Sequence, residues 1–125
     1  MKEGLTHTSH LLVAQSDSAL SQGSGDMEVL ATPRLVALME NAAMLAVAPA
    51  LAPGETTVGG QISVSHLKPS AVGAEVSATA VLTQVEGRKL TFSLSAFEGD
   101  KHIGEGSHIR FIVGRDKFLS AVGLP

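Results

Sequence analysis

The longest apolar segment of this chain spans residues 35–48. Nearly every position from residue 35 to residue 48 is apolar, mostly Leu, Ala and Met, which are strong helix formers. Thr32-Pro33 precedes this segment and is a typical helix start, with Thr32 as a candidate N-cap and Pro33 at the first helical position. The pattern predicts a helix over residues 34–48, ended by Pro49, and the only substantial helix in the chain. A helix that is apolar on all sides is expected to be buried.

Outside this segment the pattern is typical of strands. Leu90, Phe92, Leu94 and Ala96 alternate with polar residues, and this period of two indicates a half-buried strand. Short glycine-containing connections predict hairpins between the last three strands. A mobile loop, rich in Ser, Gly and Asp, is predicted at residues 15–26. The predicted strands cover residues 7–14, 56–68, 75–86, 89–97 and 102–113.

The order of these elements predicts the architecture. One early strand, one apolar helix and four antiparallel strands favour an α+β protein in which a sheet wraps around the central helix, because an antiparallel sheet packs one face on the core. This is the hotdog arrangement. A length of 125 residues suits a single domain spanning residues 1–125.

Composition narrows the function classes. The chain is 44% hydrophobic but only 3% aromatic, so aliphatic residues must fill the core, and such an apolar small domain favours pairing with a second copy. A net charge of −3 without aromatic platforms argues against nucleic acid. The absence of cysteine excludes disulfides, thiolate metal sites and a cysteine nucleophile, and no metal site is predicted. We expect a cytoplasmic protein, since no segment resembles a membrane span or a secretory signal.

Two polar residues interrupt apolar surroundings. Glu40 lies in the predicted helix beside Asn41, and a buried carboxylate must be hydrogen-bonded, shifted in pKa or facing a cavity. The alternative is that Glu40 points to water or to a gap in the sheet. His66 shares a strand face with Ile62 and Val64, where a histidine is more often a satisfied core residue. Together, Glu40 and His66 are candidates for a base oriented by a carboxylate.

Two further positions are candidates on weaker grounds. Thr32 lies eight residues before Glu40, about 12 Å along a straight helix. The two can border one pocket, or Thr32 can meet Glu40 of a partner subunit; a plain N-cap is the alternative. Gly59-Gly60 would weaken a strand unless something approaches its backbone. An acyl carbonyl held by free N–H groups, as in an oxyanion hole, is one such case, and a β-bulge is the other.

The same residues resemble those of the hotdog-fold thioesterases related to fluoroacetyl-CoA thioesterase. The spacings among Thr32, Glu40, Gly59 and His66 agree with the Thr, Glu, Gly and His of that family without a gap. The resemblance extends over most of the chain, from about residue 29 to residue 118. It is carried by residues 31–40, 51–55, 58–66, 85–88, 104–110 and 117–118.

The resemblance implies a homodimer, or a higher assembly, with active sites at the subunit interface. Thr32, Glu40 and His66 would form the catalytic group, with Thr32 as nucleophile or as orienting group. The Gly59 amide, with help from Gly60, would hold the thioester oxygen, and Arg110, which shares a strand face with His108, would lie near the site. Coenzyme A would enter as part of the substrate, so no separate cofactor is expected.

The substrate end departs from the family pattern. The fluoroacetyl-specific enzyme has an aromatic lid before its helix, whereas residues 25–30 here contain no aromatic residue. We therefore expect a general short- or medium-chain acyl-CoA as substrate. Arg88 and Lys89 at a predicted hairpin are candidates for the CoA phosphates, although a solvated turn explains them at least as well.

The sequence therefore predicts hydrolysis of an acyl-CoA to a carboxylate and free CoA. The alternative is a dimer of the same fold that binds an acyl-CoA or another apolar ligand without cleaving it. A hydratase of this fold is disfavoured because the expected pattern of Asp and His is absent.

Overall fold

The computed structural model describes all 125 residues, which form five strands and three α-helices. The strands are β1 (Thr6–Leu12), β2 (Glu55–His66), β3 (Glu75–Glu86), β4 (Lys89–Glu98) and β5 (Lys101–Gly114). The helices are α1 (Ala19–Gln22), α2 (Thr32–Val47) and α3 (Arg115–Ala121), and short 3-10 turns cover Gln15–Asp17 and Ala48–Ala50. Each predicted strand is present, with its ends within two residues of the prediction. None of the helices combines the length and hydropathy that a bilayer crossing requires.

The five strands form one antiparallel sheet in the order β1-β3-β4-β5-β2. Two-residue turns join β3 to β4 and β4 to β5, and each turn uses a glycine with positive φ, at Gly87 and Gly99. Because these conformations disfavour a Cβ, the glycines fix both hairpins. The sheet wraps around α2, which contacts β1, β2, β3 and β4. This is the hotdog fold that the order of the elements predicts.

The core lies between α2 and the inner face of the sheet. Buried residues on the helix recur with helical spacing and pack against alternating residues of β3 and β4, which point inward with a period of two. The helix contributes Leu35, Leu38, Met39, Ala42, Ala43, Ala46 and Val47. Gly104 on β5 lets the helix approach closely, since a Cβ there would lie 3.1 Å from the Leu35 side chain.

Three local predictions need correction. Ala31 is the N-cap of α2 and Thr32 is the first helical residue, so Thr32 does not cap the helix with its side chain. The predicted mobile loop instead contains a 3-10 turn and α1, held by Asp17, which accepts hydrogen bonds from the Ala14 amide and the Arg34 side chain. Helix α3 was not predicted, because its seven residues carry only a short apolar pattern.

The helix is also less buried in a single chain than its sequence suggests. Met44 and Leu45 are more than a third exposed, and Ala37 is exposed as well. These apolar side chains leave part of α2 uncovered by its own sheet.

Strand β2 forms one edge of the sheet and pairs only with β5. Its register with β5 shifts between Gly59 and Gln61, which makes Gly60 the extra residue of a β-bulge. A Cβ at Gly60 would overlap the Phe111 ring, so any other residue here would displace that ring. The free edge presents backbone groups without strand partners along a twelve-residue strand.

Burial of α2 against the sheet predicts an unequal effect of two leucine truncations. Leu35 is 0% exposed, whereas Leu12 on the edge strand β1 is 62% exposed. Leu35→Ala should lower the free energy of unfolding by about 2–5 kcal/mol, because it leaves a core cavity. Leu12→Ala should change it by less than about 0.5 kcal/mol. Urea unfolding of both variants measures this, and equal losses would contradict the assigned core.

Candidate active site

The first half of the site is a pair formed by Thr32 and His66. Helix α2 runs antiparallel to β2, so the first helical residue meets the last residue of the strand. The Thr32 Oγ1 lies 2.8 Å from the His66 Nδ1, within hydrogen-bonding distance. Thr32 is exposed and His66 is half-buried. The pair therefore combines a hydroxyl with an imidazole at the protein surface.

A cavity of about 340 Å³ opens at this pair. Its floor and walls come from the N-terminal segment around α1 and from the chain that follows β2. The lining residues include Thr32 and His66 together with Ala19, Ser24, Gly25, Met27, Val29, Leu30, Leu67, Lys68 and Pro69. The walls are largely aliphatic, with a single basic side chain. Such a space suits a small apolar group whose reacting atom lies against the Thr32–His66 pair.

His66 has the electronic character of a base. Burial lowers the pKa of His66 below its ordinary value, and the polar backbone of Lys68 offsets this only in part. The ring is thus neutral at neutral pH, the form that can accept a proton. Its Nε2 is buried and has no hydrogen-bond partner. One ring nitrogen lies against a hydroxyl with which it can exchange a proton, as a residue that passes protons requires.

The second half of the site is formed by Glu40 and Gly59. Glu40 is half-buried on α2, two turns beyond Thr32, and its carboxylate lies over β2. A Cβ at Gly59 would lie 3.0 Å from Glu40 Oε2, so a side chain at this position would push the carboxylate away from the strand. Glu40 makes no hydrogen bond to His66 within the chain, where His66 bonds to Thr32 instead. One chain therefore holds two separate half-sites.

Arg110 and His108 lie beneath the second half-site. Arg110 donates to the Thr57 hydroxyl from Nε at 2.8 Å and to the Thr57 carbonyl from Nη2 at 3.0 Å. Its Nη1 lies 3.2 Å from His108 Nε2, and His108 Nδ1 lies 2.7 Å from the Gln61 carbonyl. Burial lowers the pKa of His108 and of Arg110, and the Glu40 charge partly offsets both shifts.

The remaining predicted site residues have other contacts. Gly60 is the bulge residue beneath the Phe111 ring, and its backbone lies one step from Gly59. Arg88 donates to the Ile112 carbonyl at 3.3 Å and lies 3.5 Å from Glu55, whereas Lys89 is the half-buried first residue of β4. Arg88 lines a groove of about 490 Å³ with Lys117 and Phe118 of α3. Neither Arg88 nor Lys89 touches either half-site.

Sequence reasoning missed two contributors to the site. Thr57, which receives two hydrogen bonds from Arg110, carries no signal in the sequence beyond its inward position on β2. The segment around α1, which lines the cavity with residues such as Met27, read as an unstructured loop. His108 could be found, because its position two residues before Arg110 places both side chains on one strand face.

The chain is similar in sequence to proteins of known activity. The family model described as fluoroacetyl-CoA-specific thioesterase matches residues 13–116. A fluoroacetyl-CoA thioesterase from Streptantibioticus cattleyicolor is 43% identical over 95 residues, which cover 76% of this chain and 68% of that protein. The chain belongs to the fluoroacetyl-CoA-specific thioesterase family. It is accordingly an enzyme, a thioester hydrolase.

Solved structures agree with this assignment. The fluoroacetyl-CoA thioesterase FlK superposes with a TM-score of 0.91 at 35% identity, covering 98% of this chain and 96% of that one. A thioesterase superfamily member from Thermus thermophilus gives a TM-score of 0.90 at 23% identity, with 98% and 90% covered. The second match supports the hotdog fold alone.

The two buried histidines predict how stability depends on pH. The folded-state pKa values of His66 and His108 are lowered, so below about pH 6.5, the ordinary pKa of histidine, the unfolded chain binds protons that the folded chain does not. Stability should therefore fall as the pH drops below about 6.5 and depend little on these groups above about pH 7.5. Urea unfolding at pH 7.5 and pH 5.5 measures the difference.

Two variants separate this effect from general acid sensitivity. His108→Gln removes one of the two groups and should lose part of the decrease in stability between these pH values. His10→Gln removes an exposed histidine of β1 and should keep the wild-type decrease. Identical pH dependence in wild type and His108→Gln would argue against a neutral, buried His108.

Proposed function

We propose that this protein hydrolyses the thioester of a small acyl-CoA to a carboxylate and free CoA. The observation that carries the proposal is the hydrogen-bonding contact between Thr32 and His66 at the mouth of an aliphatic cavity. A neutral imidazole with a lowered pKa beside a hydroxyl is suited to remove a proton from an attacking oxygen. The membership of the chain in a thioesterase family supports the same reaction.

The chemical steps follow from the residues of the two half-sites. His66 accepts the proton of the attacking oxygen, which belongs to water or to Thr32, and this oxygen bonds to the thioester carbonyl carbon. The negative charge that develops on the carbonyl oxygen is held by the Gly59 amide, assisted by the Gly60 backbone and the nearby Arg110 charge. The C–S bond then breaks, and His66 returns its proton to the departing thiolate. If Thr32 is the attacking group, water releases the acyl group in a second cycle.

The reaction needs the two half-sites in one place, and we propose that a homodimer supplies this arrangement. The free edge of β2 can pair with the same strand of a second copy. A two-fold axis near Ser63, with the bulge at Gly60 counted as one step, would set Gly59 opposite His66 of the partner subunit. Glu40, which lies over Gly59, would then face the His66 ring across the interface.

The substrate class is a short- or medium-chain acyl-CoA. The S. cattleyicolor relative is named for fluoroacetyl-CoA, but the cavity beside Thr32 has no aromatic side chain in its lining. Aliphatic walls favour an apolar acyl group without selecting for fluorine. We further propose that Arg88 and Lys89 lie where they can meet the CoA phosphates, that no cofactor takes part, and that residues 1–125 act as one domain.

Removing the side chain of His66 or of Glu40 should strongly lower turnover. His66→Ala and Glu40→Ala should each lower kcat by about 10²–10⁴-fold, because proton transfer and its orientation are lost. A thiol-reactive dye reports released CoA directly, since the chain has no cysteine. His10→Ala is the matched control and should retain wild-type turnover. Full activity in either site variant would exclude the mechanism.

The same assay separates hydrolysis from binding. A panel of short, medium, aryl and halogenated acyl-CoA thioesters should include at least one that releases CoA with the wild-type protein. If none does, while an acyl-CoA still binds, the protein would be a binding module of the same fold.

Mixing two inactive variants tests whether the site is shared between subunits. In a heterodimer of Glu40→Ala and His66→Ala chains, one of the two shared sites has an intact His66 from one chain and an intact Glu40 from the other. Random exchange of subunits should therefore restore about a quarter of wild-type activity, because half of the dimers are heterodimers with one intact site of two. The variants must first be unfolded together and refolded, with each variant refolded alone as control. No recovery would show that each site lies within one chain.

A further inference from the structure

Arg110 is a buried cation without an ion pair. Arg110 is only 6% exposed, and no carboxylate lies within ion-pair distance of it. The charge of Glu40 acts on it from a longer distance. An unpaired buried charge is costly unless its hydrogen bonds are satisfied. Arg110 makes three hydrogen-bonding contacts, two to Thr57 and one to His108. A cation retained at this cost calls for a role beyond packing.

The donors and acceptors fix the chemical state of His108. A guanidinium can only donate, so His108 Nε2 must accept the hydrogen bond from Arg110 Nη1. The Gln61 carbonyl can only accept, so His108 Nδ1 must carry the proton that it receives. Both demands are met only by the neutral ring with its proton on Nδ1. His108 is 1% exposed, so its ring is shielded from the solvent that could move the proton from one nitrogen to the other.

The guanidinium held in this way points at Gly59. A Cβ built on Gly59 would lie 3.6 Å from Arg110 Nη1, 3.4 Å from His108 Cε1 and 3.0 Å from Glu40 Oε2. Three side chains thus converge on Gly59, which has no side chain of its own. Among the guanidinium atoms of Arg110, Nη1 lies nearest to the Cβ position of Gly59. The same Nη1 is hydrogen-bonded to His108.

We propose that His108 is a positioning residue, which holds the Arg110 guanidinium against Gly59 so that its charge faces the thioester oxygen. This inference rests on the proposed function, which places that oxygen at the Gly59 amide. A charge fixed in advance where negative charge develops stabilises the transition state without reorganisation. His108 itself touches no substrate and acts only through Arg110.

Two amide variants of His108 separate its two hydrogen bonds. His108→Gln can place its amide oxygen near the position of Nε2 and keep an acceptor for Arg110. His108→Asn places its amide nitrogen near the position of Nδ1 and keeps only the donor to Gln61. We expect His108→Asn to lower kcat on the order of tenfold or more with little change in KM, because the guanidinium is misplaced. His108→Gln should stay within about threefold of wild type.

A second background shows whether the effect passes through Arg110. Arg110→Lys keeps the charge but removes the forked donors, so His108 has no guanidinium to hold. In Arg110→Lys chains, the difference in kcat between His108→Asn and His108→Gln should disappear, as coupled residues require. A difference that persists in this background would show that His108 acts by another route and would overturn the proposal.

The ring state of His108 can be read without turnover. Nitrogen-15 NMR of the wild-type protein at neutral pH should show His108 neutral and protonated on Nδ1, and an Nε2-protonated or charged ring would overturn the proposal. Hydrolysis by wild type together with equal kcat in His108→Asn and His108→Gln would overturn this role alone. Absence of hydrolysis in wild type would instead overturn the proposed function, and this role with it.

Discussion

Burial of α2 against the sheet, antiparallel to β2, is the constraint from which the candidate site follows. Leu35 and Met39 fit against β5 where Gly104 leaves room, and this contact sets the register of the helix. Once the register is set, Thr32 at the helix start meets the end of β2, and Glu40 meets the same strand near its bulge. The polar residues of the site thus take their positions from apolar packing, and a shift of the helix by one turn would separate both pairs.

His66 and His108 show how two histidines with lowered pKa values differ in chemistry. Burial lowers the pKa of both rings, so both are neutral at neutral pH. Both nitrogens of His108 are occupied, by a carbonyl and by a guanidinium, so that a proton can neither join nor leave without breaking a bond. His66 has one nitrogen at a hydroxyl and one without a partner. Only His66 is free to accept and return a proton, and the hydrogen-bond partners rather than the pKa make this distinction.

The fold could be predicted from the sequence because each helix and strand has its own hydrophobic period and is bounded by glycine, proline or turn residues. The alternation at Leu90 and Phe92, and the glycines at the hairpins, are local signals that the structure confirms. The cap at Ala31 and the turns at residues 15–22 were missed, since backbone geometry and the contact of Asp17 with Arg34 decide them. For the site, spacing and resemblance select Thr32, Glu40, Gly59 and His66. Spacing cannot tell that Thr32 contacts His66 while Glu40 lies over Gly59, because pairing depends on the direction of the helix across the sheet.

Three features of the single chain that border β2 have no partner within it. Strand β2 has an unpaired edge, Met44 and Leu45 of the helix border this strand with apolar surface exposed, and His66 Nε2 is buried without a partner. Each deficiency calls for a different kind of group: backbone donors and acceptors, apolar side chains and one polar atom. In the proposed dimer, a two-fold axis that crosses β2 near Ser63 would bring the backbone groups of a second β2 and a second Glu40 to this edge. The edge strand would pair with its own copy, and Glu40 of one subunit would face the His66 ring of the other. Assembly and catalysis would then depend on the same strand, so a substitution that opens this edge should remove activity even where every side chain of the site is retained.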